Sequence, residues 1–163
     1  MNKLNLFLIR HAKTAQNAIT GSDADRNLTS KGICQANMLG YFLSQYLPDD
    51  CCFLVSDANR TQQTAAILQN YVTPIKKIDA PTLYLASAQE LFKTIENQTQ
   101  NNLVLVGHNE GISELATYLS GNQIQLKTAA FVHLEFEFEN WNFISQATGK
   151  IKCHFRPEVP TLF

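Results

Sequence analysis

Three short apolar runs, each followed at once by a polar turn, constrain the fold of this chain most strongly. They cover residues 6–9, 52–55 and 104–106. The first run leads into Arg10 and His11, the second into a turn that contains Arg60, and the third into a turn with His108. If all three are strands of one parallel sheet, their carboxyl ends meet at one edge, which is where α/β sheets bind ligands. Two arginines and two histidines would then form an anion site, most simply for a phosphoryl group.

Composition and charge are those of one ordinary globular domain. The 163 residues are 45% hydrophobic and 17% charged, so we predict a single domain over residues 1–163. A formal net charge of −1 offers no basic surface for nucleic acid or for an anionic membrane. The apolar stretch near the amino terminus is too short for a signal peptide or a membrane span. We therefore expect a cytoplasmic protein that binds neither nucleic acid nor a membrane.

Helical periodicity fills the segments between the apolar runs. A first helix is predicted from Thr29 to a stop at Pro48, and a second over residues 61–71. Residues 87–90 form a capping box that opens a third helix, and a fourth covers residues 111–120. This alternation of strands and helices predicts a three-layer α/β fold, in which a mainly parallel central sheet carries helices on both faces.

The carboxyl-terminal part of the chain has a different pattern. Residues 129–139 alternate strictly between apolar and polar side chains, which predicts a half-solvated antiparallel strand near the sheet edge. Residues 141–144 indicate a short return strand, and residues 151–155 a last strand. The connection from a strand at residues 75–79 to the helix at Ser87 is too short for a cap domain, so we expect an open ligand pocket.

Several other site types do not fit the residue spacing. The four cysteines show no paired metal spacing, so we expect free buried thiols, with adjacent Cys51 and Cys52 on opposite faces of a strand: Cys34, Cys51, Cys52 and Cys153. His133 and His154 match no zinc spacing either, and we predict no metal and no cofactor. The paired aspartates at positions 23 and 25 resemble those of aspartyl phosphatases but follow no apolar strand, so we assign them to a loop.

Each polar turn has an ordinary structural explanation when it is taken alone. Arg60 is equally consistent with a surface ion pair to Asp57, and His108 with a histidine that caps the sheet. Residues 107–111 have the strand–turn–helix outline of a nucleophile elbow. Asn109 stands at the nucleophile position of that outline, however, and cannot attack an ester.

Five motifs taken together are far more specific than any one of them. They are Arg10-His11, residues 25–32, residues 56–64 around Arg60, residues 83–87, and residues 106–111 around His108. In combination and order they resemble the histidine phosphatase superfamily, the phosphoglycerate mutase-like proteins, and most closely its small phosphohistidine phosphatases of the SixA type. The likeness extends over nearly the whole chain and implies a phosphoglycerate mutase-like fold.

The resemblance also implies roles for particular residues. The phosphorylated nucleophile would be His11. The side chains that would hold the phosphoryl oxygens are Arg10, Arg60 and His108. Further substrate-binding candidates are Arg26 at the pocket rim, Asn17, which matches a phosphate-contacting asparagine, and Asn109 beside the second histidine.

Two departures from the family pattern bear on the substrate. Ala12 replaces the glycine that is more common after the Arg-His pair. No carboxylate lies between Asp79 and Glu90, where larger members carry a proton-donating glutamate. An alkoxide leaving group needs a strong general acid, whereas a protonated phosphoramidate leaves as neutral imidazole. The sequence therefore predicts a metal-independent phosphatase that acts through a phosphohistidine intermediate on P–N substrates, such as a phosphohistidine-carrying protein.

Two alternatives remain open at this point. A phosphomonoesterase or mutase could act on a small sugar or nucleotide phosphate, with Asp57, Glu90 or Glu110 as the acid. A protein of another class, a phosphate-binding interaction module without turnover, would also use an arginine cluster. The joint presence of the two arginines and two histidines argues against this last alternative.

Overall fold

The computed structural model describes residues 2–161. Within these residues, six strands form one sheet: β1 (Leu4–Arg10), β2 (Cys52–Val55), β3 (Lys76–Asp79), β4 (Asn102–Gly107), β5 (Phe131–Phe136) and β6 (Lys150–Phe155). Four α-helices connect or follow the strands: α1 (Ser30–Ser44), α2 (Asn59–Leu68), α3 (Ala88–Glu96) and α4 (Gly111–Ser120). Short 3₁₀ turns lie at Asp23–Asp25, Pro81–Leu83 and Trp141–Phe143.

The three apolar runs are neighbouring parallel strands, as predicted. The strand order is β3-β2-β4-β1-β5-β6, so β4 lies between β1 and β2 and is parallel to both. The register aligns Arg10 with Gly107 and Val55 with Val106, so the three strands end at one level. The turns that carry the predicted site residues therefore lie side by side at one edge of the sheet.

Helices cover both faces of the sheet and confirm the predicted three-layer α/β fold. Helices α1 and α2 pack on one face, where Leu39, Leu43 and Leu68 contact a cluster that includes Phe7 and Phe53. Helices α3 and α4 cover the other face, and their buried side chains join a second cluster: Leu91, Ile95, Ile112, Leu115, Ala116 and Leu119. The central strands β2 and β4 are buried throughout because both of their faces are covered.

Local sequence signals set the helix starts near the site. The Thr29 side chain accepts from the Gly32 amide at the start of α1, and Ser87 with Glu90 forms the predicted capping box of α3. Gly111 begins α4 where a Cβ atom would collide with the carbonyl oxygen of Ala86, so the absence of a side chain lets α4 approach the β3–α3 connection. The connection itself contains a single 3₁₀ turn and no cap domain.

Two predictions at the carboxyl-terminal end need correction. Strand β5 is antiparallel to β1 as predicted, but it is mostly buried rather than half-solvated, because His133 on its polar face is buried and bonds the Tyr46 hydroxyl, and Glu135 is only partly exposed. Its predicted place near the sheet edge is confirmed, since only the antiparallel strand β6 lies outside it. The predicted return strand at residues 141–144 is wrong. Asn140 caps a 3₁₀ turn there, and the buried Trp141 indole donates to the carbonyl of Gln100.

The cysteines are free, but only two of the four are buried. Cys51 and Cys52 belong to the core clusters on opposite faces of the sheet, as the alternation of a strand requires. Cys153 lies half-buried on the edge strand, and Cys34 is exposed on the solvent side of α1, so the expectation of four buried thiols is wrong for these two.

No helix among residues 2–161 is long and apolar enough to cross a membrane. Nor does that part of the chain bring three or more histidine, cysteine or acidic side chains together in a group suited to a metal ion.

Candidate active site

His11 follows β1 and is held in one tautomer by the backbone. Its Nδ1 lies 2.8 Å from the carbonyl oxygen of Ala12, which can only accept, so Nδ1 carries the proton and Nε2 keeps its lone pair. Burial lowers the pKa of His11 to about 4, and the neighbouring Arg60 and Arg10 charges act in the same direction. At neutral pH the ring is therefore an uncharged imidazole with a nucleophilic Nε2.

Arg10 presents a buried donor beside this imidazole. Its Nη1 donates to the carbonyl oxygen of Leu126 over 3.1 Å, but its Nε is buried and has no hydrogen-bond partner among the described residues. Burial of the side chain lowers the pKa of Arg10, but the guanidinium stays charged at neutral pH. A buried donor without a partner costs about 1–3 kcal/mol, and an anion oxygen near His11 would satisfy it.

Arg60 lies in the first turn of α2 and is 3% exposed. Its two outer nitrogens donate to Asp23, Nη1 to the backbone carbonyl over 2.8 Å and Nη2 to the carboxylate Oδ2 over 2.9 Å. Its Nε donates to Nδ1 of His108 over 3.3 Å, and its guanidinium carbon lies 5.7 Å from the ring centre of Tyr84. The ion-pair partner of Arg60 is therefore Asp23 rather than Asp57.

His108 faces His11 across the site, with ring centres 5.5 Å apart. Because a guanidinium only donates, the contact with Arg60 requires an unprotonated Nδ1, and Nε2–H then donates to Oγ of Ser56 over 2.7 Å. Burial, followed by the Arg60 charge, lowers the pKa of His108 to about 3. Both nitrogens already have protein partners, so a direct bond from His108 to a phosphoryl oxygen would require one of these contacts to open.

Asp23 is a site residue that the sequence prediction missed. Its Oδ2 accepts from Tyr84 over 2.6 Å as well as from Arg60, and its Oδ1 accepts from Arg26 over 2.8 Å. The Tyr84 hydroxyl, with the two arginines, holds the pKa of Asp23 well below its usual range, so the carboxylate is ionised. Asp23 does lie in a connecting loop, as predicted. In the sequence, only its position three residues before Arg26 indicated that Asp23 could form an ion pair.

Arg26 lies beside the cluster, half-buried, and fastens the loop that follows β1. Its Nε donates to the carbonyl oxygen of Ala15, its Nη2 to Oγ1 of Thr14, and its Nη1 to Asp23. These three contacts join the loop after His11 to the turn that carries Asp23. Arg26 therefore shapes the site through its neighbours, and its contact with substrate stays a prediction.

The two predicted asparagines differ in their relation to the cluster, because the Asn109 amide and Nη1 of Arg10 donate to the same Leu126 carbonyl, whereas Asn17 makes no such contact. The Asn109 amide donates to the carbonyl oxygen of Leu126 and accepts from the hydroxyl of Ser113, so it braces the segment after α4. Asn17 is exposed on the loop after β1, and its side chain makes no hydrogen bond to any residue between 2 and 161. Substrate contact by either residue remains a prediction.

Helix α2 fixes the turn that carries His11. Thr64 accepts from the Ala12 amide over 3.1 Å through Oγ1, and the same hydroxyl donates to the carbonyl oxygen of Arg60. One side chain thus joins the backbone next to the predicted nucleophile to the backbone of the buried arginine. Gln63 adds a second bond by accepting from the Leu28 amide. These contacts account for the Gln-Thr pair within the motif at residues 56–64.

The geometry agrees with a comparison against known families. The sequence model of the histidine phosphatase superfamily (branch 1) matches residues 6–82, which include Arg10, His11, Arg26 and Arg60. The predicted resemblance to this superfamily is confirmed over these residues. The matched segment carries the first histidine and both arginines of the cluster. The second half contributes His108.

Solved structures share the fold over nearly the whole chain. The presumed phosphohistidine phosphatase SixA of Nakamurella multipartitia superposes with a TM-score of 0.85 at 22% identity, covering 98% of this chain and 99% of that one. A tungstate complex of the protein histidine phosphatase SixA gives 0.80 at 18% identity, covering 94% and 97%. At these identities the likeness shows the fold. In sequence, an uncharacterized chloroplastic protein of Arabidopsis thaliana is 29% identical over 150 residues, 83% of this chain and 68% of that protein.

Proposed function

We propose that this histidine phosphatase superfamily protein is a metal-independent phosphatase that works through a phosphorylated His11 and acts on phosphohistidine. The observation that carries the proposal is the state of the His11 ring. Its Nδ1 proton bonds the Ala12 carbonyl, which leaves Nε2 uncharged and nucleophilic, and the preceding residue, Arg10, carries a buried Nε without a partner among residues 2–161. A neutral nucleophile next to a buried cation is what attack on a phosphoryl group requires.

The reaction would take place in two displacements. In the first, Nε2 of His11 attacks phosphorus in line, the substrate P–N bond breaks, and the leaving imidazole departs neutral because it was protonated beforehand. Arg10 and Arg60 neutralise charge on the equatorial oxygens. In the second, water attacks phosphorus, the bond to His11 breaks, and inorganic phosphate leaves with the neutral imidazole restored.

The carboxylates around the site favour P–N over P–O substrates. Asp23 is ionised, and the Lys77 ammonium, as its largest influence, lowers the pKa of Asp79. Glu90 is bonded by the Ser87 backbone and hydroxyl within the capping box, which lowers the pKa of Glu90. None of these three would donate a proton to an alkoxide at neutral pH. A protonated phosphohistidine needs no such donor.

A phosphomonoesterase is the second candidate, and one residue favours it. Glu110 is exposed at the start of α4, and although burial lowers the pKa of Arg10, the nearby Glu110 charge opposes that shift. A carboxylate at this position could serve as the acid for an ester. If the protein hydrolyses esters faster than phosphohistidine, and Glu110→Gln stops ester hydrolysis, the phosphomonoesterase hypothesis replaces the phosphohistidine phosphatase hypothesis.

The proposed substrate is a histidine displayed on the surface of another protein. The support is the β3–α3 connection, which carries one 3₁₀ turn and no cap over the sheet edge where His11 and His108 lie. A macromolecular substrate could approach such an edge directly. The cytoplasmic location stays a prediction.

Turnover and labelling test the proposal directly. The protein should hydrolyse a phosphohistidine peptide faster than p-nitrophenyl phosphate or sugar phosphates, and quenching during turnover should trap a base-stable, acid-labile phosphoryl group on His11. His11→Asn should abolish both turnover and label while the protein stays folded. The matched control is His154→Asn, because His154 is exposed on the edge strand β6. Label on another residue of the wild-type protein, or retained in His11→Asn, would refute the assignment.

A further inference from the structure

The outer edge of Arg60 is occupied by another residue of the same chain. Both outer nitrogens of the guanidinium donate to Asp23, one to its backbone carbonyl and one to its carboxylate. This is the edge that an arginine uses when it binds two oxygens of a phosphoryl group. A phosphoryl group that binds Arg60 in this way must therefore displace Asp23 or lie beside its negative charge.

Asp23 is held at this position from three sides. Its carboxylate accepts from Tyr84 and Arg26 in addition to Arg60, and these donors come from three separate parts of the chain. Arg60 is 3% exposed whereas the Asp23 side chain is 43% exposed, so the carboxylate lies on the solvent side of the buried cation. Substrate that approaches Arg60 from solvent meets a fixed negative charge first.

We propose that Asp23 is the specificity-determining residue of this site and that it selects phosphoryl groups whose leaving group is cationic. The inference rests on the phosphatase function proposed above and identifies the charge class of its substrate. A protonated phosphohistidine carries a positive imidazole that a nearby carboxylate stabilises. A phosphate ester or free phosphate has a dianionic phosphoryl group and no such charge, so the carboxylate repels it.

Two neighbouring aspartates allow a matched comparison. Asp25 lies in the same 3₁₀ turn, but its carboxylate accepts from the Thr20 hydroxyl and makes no ion pair with Arg60. Asp23→Asn and Asp25→Asn therefore remove the same charge from the same turn, and only the first removes it from the edge of Arg60. Asp23→Ala is a second variant that also removes the amide oxygen by which asparagine could still accept from Arg60.

Binding of inorganic phosphate and tungstate, measured by calorimetry, tests the inference without turnover. Asp23→Asn and Asp23→Ala should bind both oxyanions roughly tenfold more tightly than the wild-type protein, the scale for one interaction with a charged group, and Asp25→Asn should bind them as the wild type does. Unchanged or weaker oxyanion binding in both Asp23 variants, with wild-type unfolding temperatures, would overturn the inference. Equal tightening in Asp25→Asn would overturn it as well, since the effect would then be one of net charge.

The substrate preference gives an independent readout. The ratio of kcat/KM for a phosphohistidine peptide to kcat/KM for p-nitrophenyl phosphate should fall about tenfold in Asp23→Asn and stay constant in Asp25→Asn. A merely structural role of Asp23 would lower both activities together and leave the ratio unchanged, which would contradict the inference. If the proposed phosphatase function is wrong, the wild-type protein will not hydrolyse phosphohistidine. The oxyanion-binding measurement would still decide the role of Asp23 in that case.

Discussion

Arg60 is the side chain whose removal should cost the proposed reaction most after His11 itself. Its three guanidinium nitrogens donate to His108 and Asp23. Arg60→Ala removes a preorganised cationic donor from the phosphoryl site. Losses of one such donor elsewhere amount to about 2.7–4 kcal/mol of transition-state stabilisation, so we expect kcat/KM for a phosphohistidine peptide to fall roughly 100- to 1,000-fold.

The same substitution has a smaller, separable effect on stability. Arg60→Ala leaves Nδ1 of the buried His108 without its donor, which should lower the free energy of unfolding by about 1–3 kcal/mol. Arg60→Lys keeps the charge, but a single ammonium cannot reach the three acceptors that the guanidinium nitrogens contact. We therefore expect the lysine variant to recover part of the stability and to remain more than about tenfold below the wild-type kcat/KM.

Steady-state kinetics together with denaturant unfolding measures both effects. Lys152→Ala is the control, because Lys152 is an exposed cation on β6 that pairs with Glu135 rather than with a residue of the cluster. Its activity should stay within about threefold of wild type, the range of ordinary surface substitutions. A folded Arg60→Ala protein that keeps wild-type kcat/KM would show that Arg60 does not act on the phosphoryl group and would refute the reasoning.

Two further predictions concern residues that support the fold around and beyond the site. Thr64→Val leaves the buried Ala12 amide without an acceptor, so it should cost about 1–3 kcal/mol of stability and lower kcat. The control Thr94→Val removes an equivalent helix-internal bond on α3 and should leave kcat unchanged. Equal effects of the two substitutions on kcat would contradict the link between Thr64 and His11. Burial lowers the pKa of His133 from 6.5 to about 4, so the side chain is neutral in the folded protein. Between about pH 6.5 and pH 4 the unfolded chain binds a proton at this histidine and the folded protein does not. Stability is therefore lost as the pH falls through this range. Unfolding at pH 7 and pH 5 should show His133→Gln to be less pH-sensitive than wild type, and an unchanged slope would exclude His133 as a contributor.

The sequence was most informative where apolar periodicity and a polar turn occur together. The runs before Arg10, Arg60 and His108 could be interpreted as strands because short runs of three or four apolar residues, bounded by polar turns, suit a buried parallel strand. Their adjacency followed from the expectation that their turns share one ligand. The capping box at Ser87 is a local signal of the same kind, and it is present in the structure.

The features that the sequence did not reveal depend on contacts between distant segments. The burial of His133 comes from Tyr46, 87 residues away, so the polar alternation of β5 gave the wrong solvent exposure. The 3₁₀ turn at Trp141 forms because its indole finds the Gln100 carbonyl, again far along the chain. Periodicity within one segment carries no information on such partners.

The contacts of Asp23 also join distant segments, and they change the expected charge of the arginine cluster. From sequence, two arginines and two histidines form a uniformly positive anion site. In the structure, Asp23 reaches Arg60 across 37 residues and Tyr84 across 61, and the cluster contains a fixed negative charge. A positive site alone would attract any phosphate. With the carboxylate in place, affinity depends on the charge of the leaving group as well as on the phosphoryl oxygens, so the missing general acid and the carboxylate both disfavour phosphate esters.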